Sequence, residues 1–389
     1  MPVSSSKPHK FLPLAKPVLG KEEEKAVIQA LRSGWITLGP KTAEFEQKFS
    51  EYIGCKYSVA LNSATAALHL ALLDLNLNKG DEVIIPAFTF AATANMVIHA
   101  NGTPVLADVD PETFCLDPAS VEKKINKRTK AIIPVHYAGH PADLDALRAL
   151  CKTYSLALVE DAATAVGTKY KTKMIGNSSD AVCFSFHPIK NMTTGDGGMF
   201  TTNDKEKADR VRLLRLQGMN KEAWKRLDKN GSWFYEIVTP GLKYNMTDIS
   251  AALGIEQLKK LDAFNVRRKE IVELYQSLLS KAPVRFQKIE KFATHSHNLF
   301  PVLLDDEFVS SRNAIIDELK EQNIGANVYY IPLNFHPYYQ KTYGWKPGDA
   351  PVTEDIYSRL INLPLYPSLT NADVKYVAKC FLAALKRRQ

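Results

Sequence analysis

Residues Ala181 to Thr202 read AVCFSFHPIKNMTTGDGGMFTT. An apolar run, Ala181–Phe186, gives way to a tight polar crossing that carries Lys190. Gly195-Asp196-Gly197-Gly198 and a second apolar run, Met199–Thr202, follow. The pattern predicts a buried strand, a turn and a returning strand. A lysine delivered on such a turn stands on short, packed backbone rather than on a solvated helix face. That placement lowers its pKa and fixes its direction, as a lysine requires if it is to form a Schiff base with a carbonyl group. Taken alone, a lysine beside a glycine hairpin reads more readily as a surface group, so the rest of the chain must decide.

Upstream, short apolar runs alternate with helical patterns. The strands are expected at Glu82–Pro86, Val105–Val109, Ala131–Val135 and Ala157–Glu160, and the helices between them at Phe90–Ala100, Ala119–Ile125 and Ala142–Tyr154. Near-continuous apolar strands separated by helices imply an α/β fold with a largely parallel sheet covered on both faces. Ligands of such sheets lie beyond the carboxyl ends of the strands. The positions to inspect are therefore Phe88-Thr89-Phe90, His136-Tyr137, Asp161, and Ser185 to Lys190.

Two of these neighbourhoods add to the lysine. Asp161 closes the strand in LALVEDAATAVG; an aspartate there is often a helix cap, yet a carboxylate at a strand end can also hold a pyridine nitrogen protonated. Asn62-Ser63-Ala64-Thr65-Ala66-Ala67 opens the run Leu68–Leu75 after a short strand, Tyr57–Leu61. Small hydroxyl residues at a helix start are ordinary N-caps, but the same geometry aims free N–H groups and hydroxyls at a phosphate monoester. Lysine, acid and phosphate cup make a three-part signal that none makes alone.

Composition sets the outer limits. The chain has 389 residues, 45% hydrophobic and 24% charged, enough for one large and one smaller domain. No apolar run reaches membrane-spanning length and the first ten residues lack an apolar signal core, so a cytoplasmic protein without a membrane partner is expected. Five cysteines, Cys55, Cys115, Cys151, Cys183 and Cys380, are scattered without a CxxC pair and indicate neither zinc nor a disulfide framework. The net charge of +8 suits an anionic small substrate; with the basic residues spread out and no recognition motif, nucleic acid is not expected.

The N-terminal part begins with an extended lead-in, Phe11–Gly20, and helices at Lys21–Arg32 and Thr42–Ile53. Between them Gly34-Trp35-Ile36-Thr37-Leu38-Gly39-Pro40 is apolar for a loop and either packs as structure or walls a pocket. Two long helices, Thr247–Leu261 and Phe264–Leu279, lead into a smaller α+β part with a strand near Asn298–Leu303 and helices at Ser311–Gln322 and Asp373–Arg387. The domains are expected at 1–262 and 263–389. Tyr329–Tyr343, with Asn334 and His336, is expected to pack at their boundary or touch substrate. His295-Ser296-His297 has the alternate spacing of a strand-borne metal pair, but without a third ligand an exposed strand is expected and no metal.

With these residues in view, the chain resembles the DegT/DnrJ/EryC1/StrS family of pyridoxal-phosphate (PLP) sugar aminotransferases. EDAATAVGTKYKTKMIG and SDAVCFSFHPIKNMTTGDGGMFTT carry the likeness, supported by GWITLGPKTAEFE, LNSATAALHLAL, GDEVIIPAFTFAATANMV, KAIIPVHYAGHPADLDAL, GLKYNMTDISAALGIEQLKKLD and INLPLYPSLTNADV. The resemblance implies the type I aminotransferase fold, with Lys190 holding PLP as an internal aldimine and then shuttling a proton. It implies that Asp161 pairs with the ring nitrogen and Phe90 stacks on the ring, while Ser63, Ala64, Thr65 and Ser185 hold the phosphate. Asn245, in KYNMTD, resembles a residue that a neighbouring subunit supplies, which implies at least a homodimer with a shared site. Trp35, His187, Tyr329 and His336 are candidates for the substrate side. Thr164 stands where the family usually has His or Gln near the cofactor ring, and Tyr329 where many relatives have a histidine.

The resemblance further implies transamination with L-glutamate as donor and a nucleotide-linked keto-sugar as acceptor, first among them a UDP-4-keto-hexose, often 6-deoxy, for surface polysaccharide. A 3-keto-sugar aminotransferase of the family and an inert PLP-binding regulatory protein are the alternatives. A sugar 3-dehydratase on the same fold has histidine in place of the lysine, and Lys190 speaks against it.

Overall fold

The computed structural model describes residues 10–178, 180–220 and 233–388. Helices α1 (Lys21–Arg32) and α2 (Pro40–Ile53) precede the alternation β1 (Tyr57–Leu61), α3 (Ala64–Leu73), β2 (Glu82–Pro86), α4 (Ala91–His99), β3 (Thr103–Ala107), α5 (Pro118–Glu122), β4 (Thr129–Ile132), α6 (Leu144–Tyr154) and β5 (Ala157–Asp161). Then come the short β6 (Lys169–Tyr170) and β7 (Lys173–Met174), followed by β8 (Ala181–Ser185), β9 (Gly198–Thr202) and α7 (Lys205–Leu214). Seven strands form one sheet in the order β1-β9-β8-β5-β4-β2-β3. The pairings from β8 through β5, β4 and β2 to β3 are parallel, and β9 runs against both β8 and β1.

This sheet forms because its strands are apolar on both faces. In β2, Val83 and Ile85 join one buried cluster with Ala67 and Leu70 of α3, while Ile84 joins another with Phe45 and Phe49 of α2. Successive residues of a strand point to opposite faces, so a continuous apolar run needs cover on both sides. The expected Val105–Val109 and Ala131–Val135 begin earlier, at Thr103 and Thr129, because pairing with Glu82 extends both strands over polar residues.

Helix α8 (Asp248–Leu278) corrects one expectation: a single 31-residue helix replaces the two predicted, and the expected boundary at 262/263 falls inside it. No proline or glycine interrupts Leu261 to Arg268, and Leu258, Leu261, Arg268, Ile271 and Tyr275 are buried at helical spacing. Its first half packs on the large core through Ile255 and Leu261. Its second half packs on a separate core through Ile271, Val272 and Tyr275. That second core is built on β10 (Val284–Phe286), β12 (Phe300–Leu304), α9 (Arg312–Glu321), β13 (Leu360–Leu363) and α12 (Asn371–Lys386), while β11 (Ala293–Thr294) pairs with β6. Two short helices, α10 (Pro337–Tyr343) and α11 (Pro351–Arg359), lie between α9 and β13.

The His295-Ser296-His297 stretch is not an exposed strand. His297 is buried, its N–H donates to Nδ1 of His295 at 2.8 Å, and His295 Nε2 meets Gln287 Oε1 at 3.2 Å. Burial lowers the pKa of both rings. Among the described residues no cluster of three or more His, Cys, Asp or Glu could hold a metal ion, and no helix is long and apolar enough to cross a membrane.

The start of α8 is tied to the start of α2 by one side chain. Buried Asp248 accepts from the N–H of Lys41 and of Thr42, each at 2.9 Å, and from the Thr42 hydroxyl at 2.7 Å. It satisfies first-turn donors of α2 that have no partner within their own helix. Asp248→Ala strands these donors and is expected to cost about 2–3 kcal/mol of folding stability, read from urea unfolding of the cofactor-free protein.

Candidate active site

Beyond the carboxyl ends of β2, β4, β5 and β8 the chain encloses a cavity of about 340 Å³. Its walls include Thr89 and Phe90 after β2, Tyr137 after β4, Asp161 and Thr164 from the end of β5, and Ser185, His187 and Lys190 from the end of β8. Ser63, Ala64 and Thr65 at the start of α3 close one side, and Tyr329 and Tyr330 another.

Lys190 sits on the reversal that joins β8 to its antiparallel neighbour β9. Its N–H donates to His187 O at 2.8 Å, Thr194 N–H to Phe186 O at 3.0 Å, and the Thr193 hydroxyl to Phe186 O at 2.9 Å. Asn191 Nδ2 donates to Asn265 Oδ1 of α8 and to Ser296 O, both at 2.7 Å. Gly195 adopts a left-handed φ of 83° that only glycine takes without strain. A turn tied on so many sides holds the lysine half-buried at the cavity wall. Burial brings its pKa down to about 8, against the field of Asp161, which pulls the other way.

Asp161 is buried at the end of β5 and accepts from the Thr93 hydroxyl at 2.9 Å and from Ala163 N–H at 3.1 Å. Burial raises its pKa, while those two donors and Lys190 act against the rise. Thr93 in turn meets the Thr89 hydroxyl at 2.9 Å. Opposite stands the N-terminus of α3. The Ser63 hydroxyl accepts from Ala66 N–H at 3.0 Å as an N-cap, and the N–H groups of Ala64 and Thr65 have no partner within the helix. Gly198 touches this point: a Cβ there would lie 2.3 Å from Ser63 C and 2.5 Å from Ala64 N.

Phe90 is 62% exposed at the cavity wall, its ring 5.9 Å from that of Tyr330. Thr164 lines the cavity, but its hydroxyl donates away from it, to His136 O at 2.7 Å. Three expected residues are not among those lining the cavity of their own chain. Trp35 lies over Gly39 with its indole N–H on Leu38 O at 2.9 Å, which is the packing role weighed for that loop. His336 precedes α10, with its ring 6.2 Å from Tyr339. Asn245 is buried beside the end of β1, Nδ2 on Met246 O at 3.1 Å.

Sequence reading passed over Tyr330, Thr93 and Gly197. Thr93 could have been found, since it lies one helical turn after Thr89 at the start of α4, where both hydroxyls face one way. Tyr330 carried no signal that set it apart from its neighbour Tyr329.

Residues 17–382 match the DegT/DnrJ/EryC1/StrS aminotransferase family. The chain belongs to that family. It is similar to SpsC of Bacillus subtilis, a spore coat polysaccharide biosynthesis protein, at 46% identity over 367 residues, 94% of each chain. Among solved structures it resembles PseC of Helicobacter pylori, an aminotransferase involved in pseudoaminic acid biosynthesis, with a TM-score of 0.91 at 32% identity over 97% of this chain and 100% of that one. Spr1654 of Streptococcus pneumoniae, a candidate sugar aminotransferase, superposes with a TM-score of 0.91 at 35% identity in its PMP form, over 97% of this chain and 100% of that one. Its PLP form gives 0.90 at 34% over the same shares.

The DegT/DnrJ/EryC1/StrS aminotransferases depend on PLP, and the donor set here fits that group. A helix N-terminus with free N–H groups suits a phosphate, a buried carboxylate suits a protonated ring nitrogen, and a lysine of lowered pKa suits an aldehyde. The glycine at 198 lets the backbone of β9 lie directly against this helix start, where a side chain would push the two apart. Because only the unprotonated amine is a nucleophile, capture of PLP by the cofactor-free enzyme should speed up as pH rises, with its midpoint at about 8. A stopped-flow pH series on the visible band checks this; a midpoint near that of a free lysine, about 10.4, would contradict the burial argument.

Proposed function

We propose that this aminotransferase transfers the amine of L-glutamate to the keto carbon of a nucleotide-linked sugar, first among them a UDP-4-keto-hexose, for surface polysaccharide. The class of acceptor is supported by its relatives: SpsC is a spore coat polysaccharide biosynthesis protein, PseC is involved in the biosynthesis of pseudoaminic acid, and Spr1654 is a candidate sugar aminotransferase. When bound, PLP takes up the donor's amine and passes it to the acceptor carbonyl.

The chain's own residues divide the remaining work. Ser63, Ala64, Thr65 and Ser185 would hold the phosphate, Asp161 the ring nitrogen, Phe90 one ring face, and Lys190 the aldehyde carbon. The Lys190 amine would also be the group placed to move a proton to and from the substrate carbon. With a pKa of about 8 it can do so in both directions near neutral pH. His187 and Tyr329, at the cavity wall, would face the acceptor. The observation that carries this reading is a desolvated lysine sharing one cavity with a buried carboxylate and the free N–H groups of a helix start.

A second copy of the chain is part of the proposal. Among the described residues lining the cavity Lys190 is the one lysine or arginine, whereas a nucleotide diphosphate and the two carboxylates of glutamate need several cationic partners. Asn245 would reach the partner's site, and the enzyme would act as a homodimer in the cytoplasm, where these substrates occur.

Glutamate added to the PLP-loaded enzyme should bleach the visible band and yield 2-oxoglutarate. A subsequent pulse of an enzymatically generated UDP-4-keto-sugar should restore the band and give an amino sugar by mass spectrometry. Lys190→Ala should lower turnover by about 10³-fold or more. Restoration only by a 3-keto-sugar would redirect the acceptor, and a band untouched by glutamate would remove the donor.

A further inference from the structure

Glu160 precedes Asp161 on β5, and side chains alternate along a strand, so Glu160 points away from the cavity that Asp161 lines. On that far side a chain of charged and polar groups runs to the surface. His136, fully buried, meets Glu160 Oε2 through Nε2 at 3.0 Å. Its Nδ1 accepts from Ala142 N–H at 3.0 Å, so the ring carries its one proton on Nε2 and donates it to Glu160. Glu160 Oε1 accepts from Arg148 Nη2 at 2.9 Å, and Arg148 also pairs with Asp180 at 2.9 Å. Arg148 and Glu160 border an open cleft of about 250 Å³, so the chain has one wet end.

The main chain of His136 reaches back to the cavity side. Its N–H donates to Asp161 O at 3.1 Å, and its carbonyl accepts the Thr164 hydroxyl at 2.7 Å. One residue thus braces both cavity residues at the end of β5.

We propose that His136 is a positioning residue for the cofactor acid, and that Arg148, on the far side of the sheet, keeps it in place by neutralising Glu160. This rests on the reading of Asp161 as the partner of the cofactor ring. With Arg148 gone, the buried Glu160 carboxylate keeps one hydrogen-bond donor, His136 Nε2–H, and its unpaired charge is relieved by a proton on the carboxyl or on the ring; on the ring that proton would sit on Nδ1, where Ala142 N–H now points. Two donors cannot face each other, and a neutral carboxyl holds the ring less firmly than a charged one, so in either case the turn 136–142 loosens and carries the braces of Asp161 and Thr164 with it. The other titratable groups around this chain are Asp161, Asp180, His140 and Cys183, with Asp145 and Cys151 beside Arg148, Lys190 beyond Asp161 and Lys207 beside Asp180. Among them Arg148 is the cation bonded to Glu160.

The test is a charge cycle read by the rate at which PLP leaves the loaded enzyme, with far-UV circular dichroism and Tm recorded for each variant. At one fixed pH, release from Arg148→Met should be about tenfold faster than from wild type. In Arg148→Met/Glu160→Gln the amide still accepts from His136 and no charge remains to balance, so the wild-type rate should return. Arg148→Lys keeps the charge and should also keep the wild-type rate, which holds the test open if Arg148→Met does not fold. Asp180 loses the same partner in the single and double variants, so their difference isolates Glu160. A double variant no better than the single one, or an Arg148→Lys rate equal to that of Arg148→Met, overturns the proposal. Asp161→Asn separates the two levels. If it holds PLP like wild type, the assignment of the acid fails; if it loosens PLP while the cycle shows no coupling, only the role of His136 and Arg148 fails.

Discussion

The contact of Gly198 with Ser63 and Ala64 fixes the distance between the two ends of the site. Strand β9 runs antiparallel between β8 and β1, so the chain must reverse over the carboxyl edge of the sheet between Ser185 and Gly198. That reversal carries Lys190. Its last residue lies against the first turn of α3, closer than any side chain allows. The lysine and the free N–H groups of α3 are therefore held in one frame by backbone packing, without a side-chain interaction that a small shift could break.

Within that frame, a buried carboxylate and a half-buried amine set each other's state. Desolvation favours the neutral amine at Lys190 and the neutral acid at Asp161, while each field favours the other's charge. Asp161 is further supported by Thr93 and Ala163, whereas for Lys190 Asp161 is the one group opposing desolvation. The balance leaves the amine near pH 8 and so able to give and take a proton. It also burdens the fold. The pKa of Lys190 is lower in the folded than in the unfolded chain, so the cost of burying its protonated form is present in full below about 8 and is relieved as pH climbs toward the unfolded value. Bonding of this lysine to PLP, as proposed, would remove that cost at neutral pH and so tie retention of the cofactor to stability.

Most of the large sheet was legible because parallel strands covered on both faces write themselves as apolar runs, as in Val83-Ile84-Ile85 and Val182-Cys183-Phe184. The residues lining the cavity followed from strand ends, since Asp161 and Ser185 close β5 and β8. What stayed hidden was long-range. The continuity of α8 depends on two cores taking up its two halves, and local pattern cannot show which core a helix face will meet. The burial of His295 and His297 likewise depends on Gln287 and on the packing of α8, distant in sequence. Tyr330 enters the cavity from the smaller part of the chain, where no strand of the large sheet announces it.

Thr164 lines the cavity but turns its hydroxyl away from it, to His136 O. The same main-chain residue already holds Asp161, so the strand end is fastened at two points by one turn whose ring is buried on the far face of the sheet. The open wall this leaves is bordered by aromatic rings, Phe90, Tyr137 and Tyr330, the nearest pair with centroids 5.9 Å apart. Flat apolar walls accept the C–H face of a sugar as readily as a heteroaromatic ring. The width of the cavity on this side follows from how far Tyr329 and Tyr330 stand from Phe90, and both tyrosines come from the chain between α9 and α10.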